Sequence, residues 1–181
     1  MTENNSTGNS AAEGAAGATD ASQPQRQLVL QKIYIKDLSF ESPNSPQVFA
    51  GQAGEPQIQF NLKSSSRQVG ETAWEVLLTI TVEAKGAEDR TLFLVELQQA
   101  GIFNLQGYSE EEMRPLIGSY CPSVLYPYAR EVVSEAISKG GFPQLLLQPI
   151  NFDAVYLQAQ QQQSNQQQVD MTPTEPPVGN A

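Results

Sequence analysis

The chain has 181 residues, with 20 acidic and 10 basic side chains, a formal net charge of -10, one cysteine and no histidine. That balance disfavours nucleic acid and anionic membrane as partners and favours basic ones. Without histidine, Ser-His-Asp and Cys-His catalytic sets and histidine-based metal sites are excluded, and Cys121 alone supports neither an intrachain disulfide nor a multi-cysteine metal site.

Residues 1–26 are dominated by Ala, Gly, Ser, Thr, Asn and Gln, too little apolar surface to offset the entropy of ordering, and are predicted to form a disordered leader. The leader lacks the basic-then-apolar pattern of a signal peptide, and no apolar run is long enough to span a bilayer, which points to the cytoplasm. Residues 27–158 suffice for a single compact domain. Leu28 to Glu41 is predicted as a long strand, with Leu38 and Phe40 facing away from Asp37, Ser39 and Glu41, stopped by Pro43 and Pro46. Ile58, Phe60 and Leu62 alternate with Gln57, Gln59, Asn61 and Lys63 in a second strand, which ends in the polar run Ser64 to Arg67. Trp74, Val76, Leu78, Ile80 and Val82 give the clearest alternation, with Glu75, Thr79, Thr81 and Glu83 assigned to a wet face. Lys85 to Arg90 reads as a hairpin loop into a fourth strand, Thr91 to Gln99, with Phe93, Val95 and Leu97 inward and Leu94, Glu96 and Gln98 outward. Gly101 and Gly107 bracket Ile102 to Leu105 as a turn-bounded apolar edge.

The second half changes period. Ser109 with Glu112 is a capping-box signal, and Glu110, Glu111 and Glu112 suit a helix N-terminus, so this acidic run is read as a cap rather than a metal site. A second helix follows Pro122, with Leu125, Tyr128, Ala129, Val132, Val133, Ala136 and Ile137 at helical spacing, and ends at Gly140 and Gly141. Asn151 caps a last helix carrying Phe152, Val155, Tyr156 and Ala159, which is expected to fray from Gln160. Residues 159–181, glutamine-rich and then proline-rich, are predicted to be a flexible tail. Strands first and helices after give an α+β fold: a four-stranded antiparallel sheet with helices packed on one side and disordered tails. Apolar side chains on several sides of the long helix and in Pro143 to Pro149 exceed the needs of one layer pair, implying an oligomeric interface or a binding groove.

Catalytic chemistry is thin. Asp37 with Glu41 or Glu96 are the carboxylate pairs available for acid-base work, yet alternation puts them on faces turned to water rather than to a pocket. No glycine-rich phosphate loop or dinucleotide fingerprint is present. Cys121 has no histidine to activate it and reads as a small buried hydrophobe. The chain is therefore read as a non-enzyme without metal or cofactor.

Leu94 to Phe103 (LVELQQAGIF), Tyr120-Cys121-Pro122, Tyr126 to Glu131, Gly141 to Leu145 and Pro149 to Ala154 closely resemble the protein-export chaperone SecB, as do Tyr34 to Pro43 and Gln47-Val48-Phe49. The resemblance covers about residues 28 to 158, with the leader and tail outside it. It implies an ATP-independent homotetramer, a dimer of dimers, that holds unfolded precursor proteins and passes them to the SecA translocation ATPase, with no catalytic site. It further implies that a basic, zinc-holding tail of SecA docks on the positions Asp37, Glu41, Leu94 and Glu96. Alternation independently turns these four outward, three acids around one apolar side chain. Clients would lie in long apolar grooves, for which Phe49, Phe60, Trp74, Phe103, Tyr126, Phe142 and Leu145 are the candidates.

Overall fold

The computed structural model describes residues 25–50 and 55–170, with side chains through residue 162. The leader up to residue 24 and the end of the tail, 171–181, lie outside the described residues. Four strands, β1 (Gln27–Glu41), β2 (Gln57–Gln68), β3 (Ala73–Lys85) and β4 (Thr91–Gln106), form one antiparallel sheet in the order β1-β4-β3-β2. Helices pack against one side of it, as the pattern of elements requires.

β-Branched and aliphatic residues at every second position make β3 and β4 the centre of the sheet. Val76, Leu78, Ile80 and Val82 stand opposite Gly101, Gln99, Leu97 and Val95 on the inner face, and all four aliphatics of β3 are fully buried. Gln99 is the polar exception on that face; its amide donates to the Tyr34 carbonyl at 2.9 Å. β4 runs through Gly101 without a turn, so the expected turn-bounded edge at Ile102 to Leu105 is instead the second half of a 16-residue strand. Glycine is required there by packing: a Cβ at Gly101 would lie 2.7 Å from Leu125 Cδ2. The actual turn comes at Gly107, whose φ of +77° suits glycine.

The helical half opens with α1 (Glu110–Pro115), held by the reciprocal capping box of Ser109 and Glu112. A separate helix beginning after Pro122 is not what forms. The chain continues from α1 through a π-helical turn, Leu116–Tyr120, straight into α2 (Cys121–Lys139). Pro122 has no N–H to give to residue 118, and its ring collides with that carbonyl in α geometry. The wider turn, closed by Cys121 N–H to the Leu116 carbonyl, accommodates this without ending the helical path.

Leu125, Ala129, Val133 and Ile137 recur every fourth residue, are fully buried, and lay α2 over β4 and β3. Asn151 caps α3 (Phe152–Asp170) by accepting from Ala154 N–H at 3.1 Å. Asp153 accepts from Ser119 Oγ, and the Tyr156 ring lies flush on Gly118, tying α3 to the π turn. The backbone of α3 continues to Asp170, beyond the expected fraying point at Gln160; glutamine is a good helix former, and no glycine or proline intervenes.

Candidate functional site

Two surfaces answer to the sequence candidates. The first is the outer face of the sheet, which none of the described helices covers. Glu41 pairs in register with Leu94, Ser39 with Glu96, and Asp37 with Gln98, so Asp37, Glu41, Leu94 and Glu96 share one face of two neighbouring strands. The three acids are exposed and Leu94 is half-buried among them. β3 adds Glu83 opposite Leu94, a fourth carboxylate not singled out by the motif. Glu83 accepts a 3.0 Å hydrogen bond from Thr91 Oγ1 and lies 3.9 Å from Lys85 Nζ.

Glu75, assigned to the same wet face, departs from that expectation, being only 4 % exposed. It accepts from Arg67 Nε on β2, from the Tyr34 hydroxyl on β1, and from Lys36 Nζ at 3.1 and 3.2 Å. Tyr34 pairs with Ala100 and Glu75 with Ile102, so the β1 donors reach the carboxylate diagonally across β4. These hydrogen bonds, Arg67's foremost, depress the carboxyl pKa to about 2, while the Tyr34 phenol's own bond to Glu75 raises the phenol. Alternation gives the face of a residue; it does not give the depth to which long neighbours bury it.

The second surface is an apolar groove at the end of the inner face. Proline residues Pro43 and Pro46 end β1 and a 3-10 turn, Gln47–Phe49, follows, lifting Phe49 beside Phe142. Phe142 is ringed by Phe93, Phe49 and Phe40 at centroid distances of 4.9, 5.1 and 6.3 Å. α2 ends at Gly140, against the Phe40 ring, so none of the described helices covers this end. A cavity of about 400 Å³ remains, lined by Phe49, Ile58, Phe93, Phe142 and Leu145 among others.

The groove candidates thus divide. Phe49, Phe142 and Leu145 come together. Phe60, 41 % exposed, lies two residues along the edge strand from Ile58 and extends the apolar strip. Trp74 is half-buried in a separate cleft of about 490 Å³ with Met113, Ile117 and Tyr156. Phe103 and Tyr126 do not belong to the groove. Phe103 is fully buried under Leu125 and Gly101. Tyr126 is nearly so, set edge-on to Phe152 at 5.5 Å, with its hydroxyl donating to the Gln148 carbonyl. Ile58, Leu92 and Phe93 were missed as lining residues, although the inward alternation of Ile58 and Phe93 carried the signal.

Cys121 is buried as expected, and loss of hydration pushes its thiol to about 12. Among the described residues no cluster of acids and cysteines is placed to hold a metal, and no helix is long and apolar enough to cross a membrane.

Residues 21–163 match the family described as preprotein translocase subunit SecB. The protein-export protein SecB of Methylococcus capsulatus is 54 % identical over 151 residues, 83 % of this chain and 96 % of that one. Its counterpart in Halorhodospira halophila is 42 % identical over 177 residues, covering 98 % and 96 % of the two chains. Among solved structures, the Mycobacterium tuberculosis Rv1957 SecB-like chaperone in complex with a ChAD peptide from the Rv1956 HigA1 antitoxin shares the fold with a TM-score of 0.55 at 15 % identity, over 68 % of this chain and 90 % of that one. With its four-stranded sheet, capped helices and matching blocks along the whole domain, the chain belongs to the SecB family of protein-export proteins.

Proposed function

We propose that this protein is an ATP-independent cytoplasmic chaperone that holds unfolded precursor proteins for export and delivers them to SecA. The observation that carries the reading is the aromatic groove. Phe49 remains 52 % exposed beside a cavity that the described side chains leave open, and Ile58 and Phe60 continue the apolar strip along an edge strand. Such a surface recognises side chains that a folded protein hides. Each apolar side chain buried there contributes roughly 1.5–3 kcal/mol before the costs of association, so several hold an extended segment and still release it. The peptide complex formed by the SecB-like chaperone of M. tuberculosis supports the same kind of ligand.

Assembly as a homotetramer, a dimer of dimers, is part of the proposal. Arg130 Nε and Ser134 Oγ on α2 are buried without a hydrogen-bond partner among the described residues. They line a cleft with Glu131, Glu135 and Leu146, the last 65 % exposed. A second copy covers this cleft and its exposed Leu146. On the outer face, Asp37, Glu41 and Glu96 would receive the basic tail of SecA around Leu94, long-range attraction steering it and one apolar contact seating it.

The test is to dilute an unfolded precursor from denaturant with and without the protein and follow light scattering, omitting ATP. Stoichiometric protein is expected to suppress aggregation; no suppression overturns the holding role. Light scattering of the protein alone is expected to give four times the 19.7 kDa protomer mass. Glu96→Lys is expected to weaken SecA binding while holding survives.

A further inference from the structure

Trp74 stands apart from the aromatic groove. The cleft of about 490 Å³ that it lines is bounded by Ser66 on β2, Met113 on α1, Ile117 on the π turn, and Tyr156 and Gln160 on α3. Its walls are apolar, with hydrogen-bond donors set in them. Trp74 makes no side-chain hydrogen bond among the described residues, so its indole N–H has no acceptor there. Tyr156 accepts from Gln160 Nε2 at 2.8 Å and keeps its own hydroxyl proton to give. At the rim Arg114 Nη2 holds Glu110 at 3.1 Å, so the charge beside the cleft is paired. The ligand that suits such a cleft is uncharged at the contact, stacks on aromatic rings, and brings acceptors without donors.

A proline-containing segment has that chemistry, because its rings are apolar and prolines carry a carbonyl but no N–H. α3, which forms one wall of the cleft, leads into one. After Asp170 the sequence reads Met171-Thr172-Pro173-Thr174-Glu175-Pro176-Pro177-Val178. At three residues per turn of a polyproline II helix, Pro173 and Pro176 share one edge, and Glu175 lies off it. The reach is sufficient. Gln160 lies about 15 Å back along α3 from Asp170 at the α-helical rise. Folding back from Asp170, Pro173 reaches about 9 Å and Pro177 about 22 Å at the polyproline rise. The other end of the chain is a poorer fit: between Thr2 and Gln23 it holds no aromatic residue and no Leu, Ile or Val.

We propose that residues 173–178 of this chain dock in the Trp74 cleft as a polyproline II segment, with proline rings on Trp74 and Tyr156 and carbonyls accepting from the indole N–H and the phenol. Tethered through α3, the segment faces its site at an effective concentration of about millimolar, so a weak contact keeps the cleft covered and still lets it open. This docking is independent of the holding role.

Trp74 is the chain's one tryptophan, so the fluorescence of the full-length protein reports on this cleft. Acrylamide is expected to quench it about twofold less in the parent than in Pro173→Gly/Pro176→Gly/Pro177→Gly, which removes the rings without favouring helix. The variant's emission is expected to move to longer wavelength. Circular dichroism and oligomer mass check that the domain, whose own sequence is unaltered, is folded as in the parent. A free peptide of residues 171–181, added at about 5 mM, is expected to restore the parent's protection to the variant. Equal quenching of parent and variant, or no restoration by the peptide, overturns the proposal. Protection shared by both and lost on dilution assigns the cleft to a second copy. Protection that appears in both only with an unfolded precursor assigns it to a client segment, and either result overturns the tail as its occupant.

Discussion

Phe103 and Phe49 belong to the same inner side of the sheet and meet opposite fates. Under the middle of α2, Phe103 is sealed by Leu125, and the backbone approaches so closely that only glycine fits at position 101. At the end of the sheet α2 has stopped, and Phe49, Phe93 and Phe142 lean on one another around open space. The side chains are equally apolar. What differs is whether a helix lies above them, set by the glycines that end α2 and by the loop that raises Phe49. A core and a groove here are one apolar face, covered for part of its length.

The strongest way to break this contrast is to open the sealed half. Leu125→Ala is expected to cost about 2–5 kcal/mol, measured by urea unfolding, because the rigid surroundings leave a cavity. Gly101→Ala alone is expected to cost about 1–3 kcal/mol through overpacking against Leu125. Combined, the two are expected to cost less than their sum, since the new methyl group occupies part of the space that Leu125 vacates. Strict additivity would show that the seal is not made by this contact.

Glu75 extends the comparison to the outer face, where one carboxylate is sealed and its neighbours are not. Glu75→Gln is expected to lose about 2 kcal/mol at neutral pH, the range of hydrogen bonds to a charged group. The folded-state pKa is lowered, to about 2 from 4.5. The ionised group therefore contributes its full stability above pH 4.5 and loses it as pH falls through about 2. Acid unfolding followed by circular dichroism is expected to show a shallower dependence across that window in the Gln variant. An unchanged slope would mean that the three donors do not hold Glu75 ionised.

Much of this was legible because a strand has a period of two and each residue must choose a side. The alternation of Trp74 to Val82 and of Phe93 to Leu97 assigns the faces correctly, and the acidic set Asp37, Glu41, Glu96 falls together once β1 and β4 are neighbours. Depth was not legible. Nothing local distinguishes Phe103 from Phe49, or Glu75 from Glu96, because burial depends on what a distant segment lays across them. Gly101 misled for a related reason: glycine serves both turns and close approach, and only the position of Leu125 decides between them. Pro122 was read as a boundary because a π turn before it has no sequence periodicity of its own.

A smaller effect on stability, with a larger one on function, is expected at the open end. Phe49→Ala removes a half-exposed ring and is expected to cost under about 1 kcal/mol, yet to weaken suppression of precursor aggregation severalfold. Leu125→Ala, assayed below its melting point, is expected to do the reverse. If Phe49→Ala held precursors as well as the parent, the groove would be an imperfectly filled core.

Thiol chemistry separates the two regions without perturbing either much. Cys121 is the chain's only cysteine, and burial pushes its thiol to about 12, so almost no thiolate exists at pH 8 and none is reachable without opening the packed half. Labelling by a disulfide reagent is expected to follow global unfolding, with a rate that rises in urea in step with the unfolded fraction. Leu145→Cys, in the groove, adds a second thiol that is expected to react at once, and an unfolded precursor is expected to slow it while leaving Cys121 unchanged. Fast labelling of Cys121 in the native protein would mean that α2 lifts from the sheet on its own. The sealed and open halves would then be two states of one face rather than two places on it.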